Sequence, residues 1–155
     1  LVPQWSNANP TITLHEFVSL IPSWEVPRGS NPRIVGDGGM AYGLFQIHQI
    51  MVEDYNRITG DTKTHQDAFD PEISRHIAYT VLSHYKAHIE RLNKPVTTDH
   101  LLFIWNGGGG AWKRVENPIN DKKQFNLNTY RSRATPIINN YINAKEKRRK
   151  PTERT

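Results

Sequence analysis

Asp70-Pro71-Glu72 is followed by apolar residues at Ile73, Ile77, Val81, Tyr85, Ile89 and Leu92. Steps of four and three residues lay these side chains along one stripe of an α-helix. The start is equally explicit. Asp70 can cap the first turn, Pro71 suits the first helical position, and Glu72 places an acid in the first turn. This is the longest helix the sequence specifies, and it is predicted to be central to the core.

Shorter helices surround it in sequence. Leu1 to Pro10 reads as an extended lead-in, with Pro3 and Pro10 as breakers. Thr13-Leu14-His15-Glu16 has capping-box spacing, and Leu14, Phe17, Val18 and Ile21 share a helical stripe. Pro22 should end or kink that helix, so Glu25 emerges near its terminus. The Gly-, Pro- and Asn-rich stretch 27–39 reads as loop, and Tyr42 to Ile47 as a short strand or extended segment. A helix is expected over about Gln49 to Thr59, with Ile50, Met51, Tyr55 and Ile58 inward and Gly60 as its stop. Thr98-Asp99 starts another, through Leu101, Leu102, Ile104 and Trp105, which Gly107 to Gly110 interrupts. Residues 124–128 read as polar loop, and Tyr130 to Ala144 as the last helix, with Pro136 early in it. No internal repeat is present. The fold class is mainly α (α+β), with a small hairpin or extended segment. One domain covers 1–144, and the basic segment 145–155 is expected to be a disordered tail.

The chain has 155 residues, 36% hydrophobic and 10% aromatic, enough for one globular core. No run approaches the roughly 18 apolar residues of a membrane span. Leu1 is neither an initiator Met nor the start of a signal-peptide pattern, so a trimmed or mature beginning is expected. The absence of cysteine excludes disulfides and thiolate metal sites. A net charge of +5 favours anionic partners, whether nucleic acid, a membrane surface or a cell wall. Part of that excess sits in Lys145 to Arg154.

The chemistry concentrates between Glu25 and Gln46. Breaking a glycosidic bond requires protonating a poor leaving group, and a carboxylic acid does so when apolar surroundings keep it protonated. Trp24 and Val26 flank Glu25, and the Phe17–Ile21 stripe precedes it. Downstream runs Ala41-Tyr42-Gly43-Leu44-Phe45-Gln46-Ile47. Gly43 allows close backbone approach. Gln46 alternates with apolar neighbours and is expected to project where they do not. Its amide needs partners, and a sugar acetamido group, the acid or a loop backbone would each serve.

This pairing resembles the active-site region of lysozyme-like enzymes, the soluble lytic transglycosylases and goose-type lysozymes. In those families a helix ends in the catalytic Glu and a run like Ala-x-Gly-Leu-Met-Gln-Ile follows. Asp70-Pro71-Glu72-Ile73 is similar to their helix start, and Ile104-Trp105-Asn106-Gly107 to their Tyr-Asn-x-Gly turn. Asn126-Leu127-Asn128-Thr129-Tyr130 resembles the segment after it. Four blocks in the same order span about Phe17 to Tyr141. The resemblance implies a lysozyme-like fold and cleavage of the MurNAc–GlcNAc β-1,4 bond of peptidoglycan. Glu25 would be the general acid, Gln46 would contact substrate, Asn106 would shape the cleft floor, and Tyr130 would hydrogen-bond near Glu25. Val26 departs from the usual Ser, Trp105 from the usual Tyr, and Pro22 from an unbroken helix.

Asp37 stands open between a turn former and a base that positions water, as in goose-type enzymes. Tyr42, Phe45, Trp105 and Trp112 stand open between sugar-stacking surfaces and core. Asn106 is equally readable as a helix-end residue and Tyr130 as core. Non-hydrolytic transglycosylation is narrowly favoured over inverting hydrolysis. A chitin-type substrate and a non-catalytic wall-binding module are the alternatives. His84 and His88 have zinc spacing but no third ligand, and no metal or organic cofactor is implied. The partner expected is the peptidoglycan glycan strand, with no nucleic acid and no membrane span. A monomer is expected, acting outside the cytoplasm as a secreted, periplasmic or phage-delivered protein.

Overall fold

The computed structural model describes residues 12–153. These hold five α-helices and one two-stranded antiparallel hairpin: α1 Leu14–Glu25, β1 Val35–Gly36, β2 Ala41–Tyr42, α2 Gln49–Thr59, α3 Pro71–Arg91, α4 Thr98–Gly107 and α5 Lys122–Glu153. The mainly α class with a small hairpin is as expected. The extended lead-in lies outside the described residues. Residues Leu14–His84 form one compact unit; those from Tyr85 on, with 12 and 13, form a second.

In the first unit, α1 buries Phe17, Val18, Ile21 and Trp24. Phe17 and Trp24 meet edge to face at 5.6 Å. Pro22 does not end the helix. It falls in the last turn, and the chain carries on to Glu25, where the Val26 N–H still reaches the Pro22 carbonyl at 3.1 Å. The loop expected over 27–39 contains β1, which pairs Val35 with Tyr42 and Gly36 with Ala41.

Helix α2 has the predicted bounds, but its inward face differs. Val52 and Tyr55 are buried, whereas Ile50 is 74% exposed. Position 50 shares the apolar type of its neighbours but falls on the outward side of the turn. Asn56 anchors the chain beyond the helix: its amide exchanges two hydrogen bonds with the Lys63 backbone, at 2.9 and 3.0 Å. Burial, then the hydrogen bond to Asp61, holds the Tyr55 phenol above its ordinary pKa.

The α3 start is as read from the sequence. Asp70 Oδ1 accepts from the Glu72 and Ile73 N–H groups at 2.8 and 3.2 Å. Ile77, Val81 and Ile89 are buried along the stripe, with Ala78 and Leu82 beside them, but Leu92 lies past the helix end and is 48% exposed.

In the second unit, α4 buries His100 to Trp105 without a gap. A helix covered on all sides must be packed on all sides. Burial of Leu101, Leu102, Phe103 and Ile104 contributes roughly 1.5–3 kcal/mol each. Leu127 of α5 packs with Phe103 and Ala111, and Val115 closes the cluster.

Helix α5 corrects two expectations. Residues 124–128 are helical rather than loop, because Asp121 Oδ1 accepts from the Gln124 N–H at 2.8 Å and starts the helix earlier. Gln124 is then buried and bonds to Asn128 at 3.0 Å. The helix also runs past Ala144, to Glu153, through most of the segment read as a tail. Pro136 and Pro151 both lie within it.

Candidate active site

Glu25 is the last residue of α1 and is half-buried, between buried Trp24 and half-buried Val26. The chain then turns through Pro27 to Ser30, where Ser30 donates from both its N–H and its hydroxyl to the Pro27 carbonyl. This turn and the end of α1 enclose a concavity of about 420 Å³, walled by Ser23, Val26, Pro27, Arg28 and Leu44 among others. Two of those residues, Ser23 and Val26, bracket Glu25 in the chain.

The hairpin carries most of the remaining candidates in this unit. Tyr42 and Ile47 exchange two backbone hydrogen bonds of 3.0 Å, and the Gln46 N–H closes the turn on the Gly43 carbonyl at 3.0 Å. Gly43 has φ 78, and a Cβ there would overlap the Ala68 carbonyl. The turn therefore needs glycine twice over, for its backbone angle and for the close approach.

Gln46 is half-buried at φ 52. Its Nε2 donates to the Gly43 carbonyl at 2.9 Å and to that of Ala41 at 3.5 Å. The amide thus secures its own turn, the third of the partners the sequence allowed. Its Oε1 lies against Gly36, where a Cβ would overlap it.

Tyr42 stacks on His65 at 3.6 Å and on Phe69 at 4.5 Å. His65 Nε2 also donates to the Ile47 carbonyl at 2.7 Å, so the ring braces the hairpin from outside. Phe45 is 1% exposed, with the Arg75 guanidinium 5.7 Å from its ring. It has no face to offer a sugar and belongs to the core, because alternation along the turn points it inward with Ile47. Asp37 adopts φ 51 and is exposed, 3.0 Å from His48 Nε2. It opens the short turn between the strands.

The other candidates lie in the second unit. Asn106 is exposed near the end of α4; the helix closes instead through the Gly108 N–H on the Ile104 carbonyl. Tyr130 is buried in α5, with the Arg133 guanidinium 4.9 Å from its ring. Trp105 and Trp112 are buried as well. Among the described residues no cluster of three or more acidic or histidine side chains could hold a metal, and no helix is long and apolar enough to cross a membrane.

Sequence reasoning missed Gly36, His48, His65 and Arg28. Gly36 lies in a two-residue strand, His65 starts a short 3-10 turn, and Arg28 and His48 lie in a turn and a loop, segments too short for periodicity to mark which side chains face one another.

A family model described as the transglycosylase SLT domain matches residues 28–128, more than half of the chain. The match takes in Asp37, Tyr42, Phe45, Gln46 and Asn106. It begins just after Glu25 and ends just before Tyr130. No curated protein and no solved structure matches the chain.

Proposed function

The chain belongs to the transglycosylase SLT domain family, within the lysozyme-like superfamily, and from that premise we propose that it cleaves the MurNAc–GlcNAc β-1,4 bond with Glu25 as acid and then base. Peptidoglycan cleavage of the lytic transglycosylase kind follows from the family. The identity of the acid is the further step. The observation that supports it is the placement of Glu25, half-buried as the last residue of α1, the helix whose end walls a concavity of about 420 Å³ through Pro22 and Ser23.

In this reading Glu25 gives its proton to the glycosidic oxygen as the C1–O bond breaks. The resulting carboxylate then takes the proton of the muramoyl C6 hydroxyl, whose oxygen closes on C1. The products are a 1,6-anhydromuramoyl end and a free GlcNAc hydroxyl, with no water consumed. Asp37 is exposed and engaged with His48 Nε2 at 3.0 Å, which supports a scheme in which one carboxyl handles both transfers. Gln46 acts through the hairpin whose turn it ties, with Tyr42 braced behind. Asn106 and Tyr130 are proposed as substrate-binding residues. The catalytic domain is assigned to 1–144, and its substrate lies outside the cytoplasmic membrane.

Mass analysis of muropeptides released from purified sacculi tests this. The wild-type chain should yield anhydromuramoyl ends, and Glu25→Gln should slow release at least about a hundredfold. Wild-type lysis by that variant would remove Glu25 from the chemistry. Reducing ends, lost on Asp37→Asn, would make the enzyme an inverting hydrolase.

A further inference from the structure

The concavity at the end of α1 carries a charge that the proposed bond cleavage does not use. Arg28 lines it, is exposed, and has no hydrogen-bond or ion-pair partner among the described residues. The rest of the wall combines the apolar Pro22, Val26, Pro27 and Leu44 with Gly29 and the hydroxyl residues Ser23 and Ser30. At about 420 Å³ the space falls in the roughly 300–1,000 Å³ range of small-ligand pockets.

An unpaired guanidinium above a partly apolar wall suits a carboxylate carried on short alkyl groups. Arginine offers a planar fork of donors that matches a carboxylate in two parallel hydrogen bonds. A muramoyl residue has such an arm. Its lactyl ether carries a methyl group, and the arm ends either in the free lactyl acid or in a stem peptide with alanyl methyl and glutamyl carboxylate groups. A GlcNAc residue has no such arm. We propose that this concavity is a subsite for the anionic lactyl arm of a muramoyl residue, with Arg28 taking the carboxylate and Val26, Pro27 and Leu44 the alkyl portion. It rests on the reading of the Glu25 side as the substrate side. It explains how a chain with one acid could tell a muramoyl polymer from chitin.

The test is binding to the full chain, followed by NMR titration, so that cleavage plays no part in the readout. The probes are N-acetylmuramoyl-L-alanyl-D-glutamate, N-acetylmuramic acid and N-acetylglucosamine. Arg28→Gln should weaken the first probe roughly three- to tenfold, the scale of one exposed to partly desolvated charge pair. Arg28→Lys should recover part of the loss, and N-acetylglucosamine should bind both chains alike. Weakening of N-acetylmuramic acid to the same degree assigns the guanidinium to the lactyl acid; weakening of the dipeptide alone assigns it to the stem. Ser23→Trp, which fills the space from an exposed position, should weaken whichever probe Arg28 holds. Equal binding of all probes by wild type and Arg28→Gln, with circular dichroism unchanged, overturns the subsite. A chain that binds the arm through Arg28 yet survives Glu25→Gln with full lysis would overturn the catalytic reading and leave the subsite standing.

Discussion

The Gln46 amide oxygen occupies the space that a side chain at Gly36 would fill. The same amide donates to the Gly43 carbonyl at 2.9 Å, so one side chain joins both strands of the hairpin to its turn. Gly36 itself has φ −129, an extended angle that alanine adopts without strain. The whole cost of Gly36→Ala is therefore the displacement of Gln46 and the loss of its hydrogen bond, about 0.5–1.5 kcal/mol. In thermal melts Gly36→Ala should lower Tm by a few degrees. Gly36→Ala in a Gln46→Ala background should then cost almost nothing more. Additive losses in the double variant would mean that the two positions do not meet.

Glu25 and the hairpin were legible for different reasons. A helix can be traced by periodicity, and so the Phe17–Ile21 stripe pointed to α1, although Pro22 suggested an earlier end or a kink where the helix instead carries on to Glu25. The role of the Gln46 amide could not be read in this way. A glutamine among apolar residues must find partners, but sequence cannot say whether those are a sugar or its own turn carbonyls. Phe45 shows the same limit: alternation says that it differs from Gln46, not which of the two faces inward. The bounds of α2 and the start of α3 were legible because Gly60, Asp70 and Pro71 act locally. The start of α5 was not, because its cap, Asp121, stands in a polar stretch where capping and looping look alike.

His100 is buried and carries two neighbours that dictate its tautomer. The Thr97 N–H donates to Nδ1 at 3.0 Å, which requires Nδ1 to be bare. Nε2 then holds the hydrogen and donates it to Glu116 Oε2 at 2.9 Å. The Thr97 hydroxyl accepts from the His100 N–H in return, closing a capping box with histidine in the usual place of Glu or Gln. His100→Phe keeps the packing against Trp112 but leaves the Thr97 N–H unpaired. The expected loss is about 1–3 kcal/mol in chemical denaturation. Nitrogen-15 shifts of the wild-type ring at neutral pH should show the Nε2–H tautomer. An Nδ1–H ring would contradict the cap.

Asp121 ties α5 to the preceding loop. Its carboxylate takes a hydrogen bond from Arg114 Nη1 at 2.8 Å and accepts the Gln124 N–H at 2.8 Å. The Arg114 hydrogen bond first, then the Gln124 N–H, holds the carboxyl below its ordinary value of 3.8. A carboxyl that is more acidic in the folded chain binds fewer protons there than when unfolded. Its contribution to stability is therefore present above pH 3.8 and is lost as pH falls through the lower, folded value. Asp121→Asn keeps a capping oxygen but removes this charge. The Tm gap between wild type and Asp121→Asn should be widest near neutrality and should close as the pH is taken below 3.8 and through the lower, folded value. High salt should narrow the neutral gap as well, since the Arg114 pair is partly exposed. A gap that stays constant across that range would show that Asp121 stabilises α5 by shape alone, with no contribution from its ionisation.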